Sequence, residues 1–95
     1  MTSPNTRSSQ LGHQEPPLQR LGATIRQYRK QQGFSQKALA ARAGLNYAYL
    51  SDIERGQRNT SVLSLLRIAI ALQLPLSRLL TPLDIYQTPL DSAES

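Results

Sequence analysis

The chain has 95 residues, of which 39% are apolar, with no Trp, one Phe and no cysteine. That is one small domain's worth of material, enough for a compact core but not for a deep enclosed pocket, and it excludes disulfide scaffolds and thiolate metal sites. Eleven Lys and Arg against six Asp and Glu leave a net charge of +5, and the charge is unevenly spread. Between Leu18 and Leu80 ten bases face only two acids, Asp52 and Glu54, a net of +8. The flanks hold Arg7 against Glu15, Asp84, Asp91 and Glu94, a net of −3. A basic segment between mildly acidic ends is the electrostatic footprint of a polyanion binder, although a basic surface that only confers solubility has the same composition. No apolar run approaches the roughly 18 residues of a membrane span. The polar, Pro-containing start is not a secretory signal. A cytoplasmic location in association with the nucleoid is therefore expected, with no membrane partner.

Residues 1–17 lack apolar periodicity and are rich in Ser, Thr, Pro and Gln, the composition of a disordered tail. His13 stands there with no second His and no Cys to complete a metal site, so it reads as a solvated side chain; no metal and no cofactor are expected. From Leu18 the apolar residues Leu18, Leu21, Ile25 and Tyr28 form one helical stripe. Pro16 and Pro17 favour a start and Gly33 a stop. Ser35 is placed as the N-cap of a short Ala-rich helix, 36–43, which Gly44 ends because a left-handed backbone is cheapest there. Asn46 caps the next helix, which runs to about Arg55 with Leu50 and Ile53 inward and Gly56 as its stop. The loop GQRNT leads to a strongly apolar helix from about Ser61 to Leu72. Pro75 opens a last helix, Leu76–Leu80, and Thr81-Pro82 breaks it. The expectation is an all-α, five-helix domain over 18–80 with flexible tails, residues 81–95 being mostly irregular.

The segment QKALAARAGLNYAYLSDIE meets the demands of two short helices docked nearly at right angles. Gln36 opens it, Ala40 is small enough for close approach, Gly44 permits the tight turn, and Leu50 and Ile53 lock the second helix to the core. On these residues the region 18–80 resembles the phage repressor/Cro-type helix-turn-helix family. The aromatic–aliphatic pair followed by I-E-R-G-x-R-N, matched at Tyr49, Leu50, Ile53, Glu54, Arg55, Gly56, Arg58 and Asn59, is similar to the small controller proteins of restriction–modification systems. The resemblance implies a sequence-specific transcriptional regulator of double-stranded DNA. Its docking geometry, a second helix in the major groove, is that of the phage repressors and Cro.

On a helical wheel Leu50 and Ile53 define the inner side of residues 46–55. Ala48 and Arg55 point away, Ser51 and Asp52 lie beside them, and Tyr47 and Tyr49 lie on the borders. This is the face open to base edges, with Ala48 suited to a thymine methyl and Asp52 to a cytosine amine. Many controller-like relatives carry Arg where Tyr47 stands. Without that guanine-reading fork, recognition rests on DNA shape, on stacking or hydrogen bonding by Tyr47, or on the loop arginines. By resemblance Gln36 and Asn46 contact phosphates, Arg58 and Asn59 follow the DNA backbone, and Arg29 pairs with Glu54 as a structural ion pair.

The helix 61–72 holds more apolar residues than one buried face needs, and in so short a chain the second partner is expected to be another subunit. Leu63, Ile70, Leu76, Leu79 and Leu83 are the candidate interface of a homodimer on a pseudo-palindromic operator. The competing assignment for these leucines is a monomer core. Catalysis lacks support: there are no clustered acids, no phosphate-cradling Gly loop and no Ser/His/carboxylate set outside the tail, so no enzyme is expected. RNA polymerase is a further candidate partner. An antitoxin that neutralises a toxin protein and represses its own operon is the alternative reading, and an adaptor that has lost DNA binding is a third.

Overall fold

The structure, a computed structural model, describes residues 15–87; of the flexible tails expected over 1–17 and 81–95, residues 1–14, with His13, and 88–95 lie outside the described residues. Five α-helices follow one another: α1 Pro16–Gln31, α2 Gln36–Ala43, α3 Tyr47–Glu54, α4 Val62–Ala71 and α5 Leu76–Leu80, with a 3₁₀ segment at Thr81–Tyr86. The first helix begins two residues before Leu18, because Pro16 and Pro17 occupy its first turn, where a missing N–H costs nothing. The side chains of Ser35, Asn46 and Ser61 each accept the amide of the residue three positions on, Ala38, Tyr49 and Ser64, so α2, α3 and α4 start where their cap chemistry dictates. Gly44 takes a left-handed conformation at φ 69°, and Leu45 N donates to Ala40 O at 2.9 Å, turning the chain from α2 into α3.

The core is one cluster. Ile25, Leu39, Leu50, Ile53, Ile68, Leu72 and Leu79 are its largest fully buried members, contributed by α1 to α5 and the residue that closes α4. Helix α1 lies across α3, α2 packs on both α3 and α4, and α5 with the 3₁₀ segment closes against α1. Leu79, expected at a subunit interface, has 0% exposure. Helix α5, five residues long, is so short that its one fully buried position is needed to seal the core between α1 and α4. Leu76 and Leu83 are half-buried and pack against the same core. Residues 81–86 are likewise not irregular. Thr81 Oγ1 donates to Ser77 O at 2.7 Å, and the chain winds on as 3₁₀ turns that bring Leu83 onto the core.

The crossing of α1 and α3 is closer than side-chain packing permits. A Cβ on Gly22 would overlap the carbonyl oxygens of Ile53 and Glu54 at the end of α3, so only glycine lets α1 seat against the backbone there. Gly22→Ala improves helix propensity by about 1 kcal/mol, yet it is expected to lower the unfolding free energy by about 1–3 kcal/mol. Urea denaturation measures this, and a stabilised variant would contradict the close crossing.

Candidate nucleic-acid interface

Helix α3 is held by its inner side and open on its outer one. Leu50 and Ile53 are fully buried, whereas Tyr47, Ala48 and Arg55 are exposed and Ser51 and Asp52 partly so. Five of the expected face residues thus share one surface. Arg55 lies along it, donating through Nη1 to Ser51 Oγ at 2.7 Å and through Nη2 to Asp52 Oδ1. Arg58, in the following loop, donates to Asp52 Oδ2 at 3.3 Å. Asn59 is exposed beside it. Asn46 is exposed at the mouth of α3, its Oδ1 already used as the cap.

Tyr49 departs from its expected role. It is half-buried, and its hydroxyl meets Thr60 Oγ1 at 3.1 Å and Ser64 Oγ at 3.2 Å. It therefore ties α3 to α4 rather than presenting itself to a ligand. Burial raises its phenol pKa, but the hydrogen bonds of Ser64, Thr60 and Ser61 outweigh this and the net direction is downward. The Arg58 guanidinium lies over the ring, 5.3 Å from its centroid, so Tyr49 supports a loop arginine from beneath.

At the back of α3 the ion pair expected between Arg29 and Glu54 is present and buried. Arg29 Nε donates to Glu54 Oε2 at 2.7 Å and Nη2 to Oε1 at 2.9 Å, a two-pronged pair with side-chain exposures of 8% and 1%. Two further groups complete it. Arg29 Nη1 donates to Phe34 O at 2.8 Å, and Gln36 Nε2 donates to Glu54 Oε1 at 2.9 Å. The amide of Gln36, expected to face a phosphate, is thus turned inward, while its backbone N–H remains in the first turn of α2.

A shallow groove runs between these elements, lined by Arg26, Ser35, Gln36, Lys37, Tyr47, Ser51 and Arg55 among others. Arg26 and Lys37 were not singled out from the sequence. Lys37 carries a signal in hindsight, since a cation in a helix's first turn opposes the macrodipole and makes sense where an anion is expected. Its ammonium also sits 5.7 Å from the Tyr47 ring centroid. The exposed ion pairs of Asp52 contribute about 0–1 kcal/mol each, whereas the buried pair is sensitive to being broken. Glu54→Ala is expected to cost about 3–5 kcal/mol by stranding Arg29. Arg29→Met combined with Glu54→Leu is expected to cost clearly less than the sum of the single losses. Thermal and urea unfolding of Glu54→Ala, Arg29→Met, Glu54→Leu and the double variant checks this, and additive losses would dismiss the pairing.

Residues 25–79 match the protein family described as helix-turn-helix. Over 69 residues the chain is 38% identical to an uncharacterised HTH-type transcriptional regulator of Sinorhizobium fredii, covering 73% of this chain and 87% of that one. Among solved structures it is similar to the restriction–modification controller protein C.AhdI of Aeromonas hydrophila, with TM-score 0.65 and 39% identity over 65% of this chain and 94% of the other. It is also similar to SinR, the master regulator for biofilm formation, in a crystal structure with DNA, with TM-score 0.61 and 41% identity over 63% and 97%.

Proposed function

The chain belongs to the helix-turn-helix family, and on that premise we propose that it is a sequence-specific DNA-binding transcriptional regulator acting as a homodimer on a pseudo-palindromic operator. The observation that carries the reading is the outer face of α3. It is a short, rigidly backed helix whose Tyr47, Ala48, Ser51, Asp52 and Arg55 are open to a ligand, beside a groove edged with Arg26 and Lys37. A relative of similar fold is described in complex with DNA, and others are transcriptional regulators.

In this reading α3 enters the major groove and its first two turns meet base edges. The first-turn amides of α2 at Gln36, with Lys37 and Arg26, hold one phosphate flank, and Arg58 and Asn59 hold the other. Asn46 lies between the two sets. Base reading then depends on Tyr47, Ala48, Ser51 and Asp52, and affinity on the basic rim. Arg58→Ala is expected to weaken binding to a selected operator and to flatten the dependence of log K on log salt for that operator by about 0.9. Fluorescence titration against salt measures the slope. An unchanged slope with altered sequence preference would make Arg58 a base reader instead.

The dimer rests on α4. One side of this helix, Leu65, Ile68, Ala69 and Ala71, is in the core, and the other carries Val62, Leu63, Leu66 and Ile70 exposed to solvent. Four aliphatic side chains on one outward stripe are what a second copy would cover. A twofold pair sets the two reading helices about 34 Å apart, one turn of DNA. Ile70 is 65% exposed, so Ile70→Arg is expected to leave the fold stable while producing a monomer that binds the operator much more weakly. Sedimentation equilibrium checks it, and an unaltered dimer would move the interface elsewhere. Selection of bound fragments from random duplexes tests the function itself: enriched sequences with two related half-sites support it, and the absence of any enriched motif overturns it.

A further inference from the structure

The two arginines best placed to grip a DNA backbone beside α3 are both occupied by the same carboxylate. Asp52 gives Oδ1 to Arg55 and Oδ2 to Arg58, and Ser51 Oγ draws the other arm of Arg55 flat along the helix. Arg58 is further steadied over the Tyr49 ring. Both guanidinium groups are more than half exposed, so their pairs with Asp52 are exchangeable, unlike the buried pair of Arg29 with Glu54. From the loop side the residues that share a groove with Asp52 are Glu15, Pro17, Leu18, Gln57, Arg58 and Asn59. A second acid, Glu15, therefore adds to the repulsion that a bare Asp52 would feel toward phosphate.

We infer that Asp52 is a specificity-determining residue that couples base reading to backbone grip by exchanging partners. The inference rests on the reading of α3 as a DNA-reading helix. Against a non-matching sequence nothing replaces the arginines at Asp52. Releasing them would leave a carboxylate unpaired beside a polyanion, so they stay on it and the complex forgoes their phosphate contacts. Against a matching sequence a base-edge donor, such as the exocyclic amine of cytosine, takes over the carboxylate. Arg55 and Arg58 are then free to swing to phosphates. The correct base is rewarded twice, once at Asp52 and once through the arginines it releases.

Asp52→Asn keeps the shape and removes the charge that holds both arginines. Its binding to a selected operator and to a random-sequence duplex is compared with wild type across a salt series. The expected result is tighter binding to the random duplex, a salt slope on it steeper by about one to two units, at about 0.9 per freed arginine, and a fall of roughly tenfold or more in the operator-to-random ratio, the worth of one base contact. Asp84→Asn makes the same charge change in the 3₁₀ segment and is expected to leave slope and ratio unchanged. In the Arg55→Ala, Arg58→Ala background Asp52→Asn still relieves the repulsion of a bare carboxylate, but its steepening of the salt slope on the random duplex is expected to be lost. A steepening of the same size that persists there, or that Asp84→Asn reproduces, is general charge repulsion and overturns the inference. Wild-type binding with no change in Asp52→Asn also overturns it. Failure of the wild-type chain to bind any duplex overturns the DNA reading itself.

Discussion

The interaction on which the rest depends is the buried grip of Glu54 by Arg29 and Gln36. Helix α3 has eight residues, too few to persist as an isolated helix in water, and it ends on an acid, the sign that a helix C-terminus disfavours. A carboxylate with 1% side-chain exposure is tolerable only with its oxygens fully engaged. The guanidinium of Arg29 supplies two donors in one plane and Gln36 a third. Those donors come from α1 and from the first turn of α2, so one side chain fastens the end of α3 to the two helices before it. Leu50 and Ile53 provide attraction without direction; the fork at Glu54 provides direction. Gly22 lets α1 come close enough for this, its missing Cβ leaving room for the last carbonyls of α3.

The turn chemistry was legible in the sequence because caps are local. Ser35, Asn46 and Ser61 each satisfy an amide three residues away, and Gly33, Gly44 and Gly56 each take a positive φ where a helix stops. No knowledge of the tertiary fold is needed for either. The end of α4 shows the limit of that reasoning. Gln73 takes the left-handed position at φ 59° with no glycine to mark it, so the stop near Leu72 was legible but the backbone conformation that makes it was not. Gln32 reaches across the sequence, donating to Leu72 O at 2.8 Å and covering that end from outside.

What the sequence could not reveal was which of several equivalent apolar or polar residues the tertiary fold would claim. Leu79 and Ile70 are both aliphatic and both lie on short helices, yet one seals the core and the other stands in solvent. The choice depends on how α5 closes against α1, not on any periodicity five residues can display. Tyr49 sat on the border of the helical wheel, and its hydroxyl was drawn to Thr60 and Ser64 by the approach of α4. Gln36 lies where the resemblance implies a phosphate contact, but the buried carboxylate of Glu54 is the nearer acceptor for its amide. The outward residues Tyr47, Ala48, Ser51, Asp52 and Arg55 were legible because two inward anchors, Leu50 and Ile53, determine the phase of so short a helix.

The polar contacts around α3 divide by burial, and the division matches what each must do. Those behind the helix are shielded from water and salt, so the direction in which the outer face points does not vary with the medium. Those in front are solvated and weak, so the arginines on Asp52 are able to exchange once another donor takes over the carboxylate. A front built like the back would be fixed in one arrangement and could not answer to what it meets. A back built like the front would let α3 rock, and a displacement of one base-pair edge would erase any distinction among sequences. A helix of two turns combines a fixed direction with an adaptable face because its buried ion pair and its exposed ion pairs sit on opposite sides of its axis.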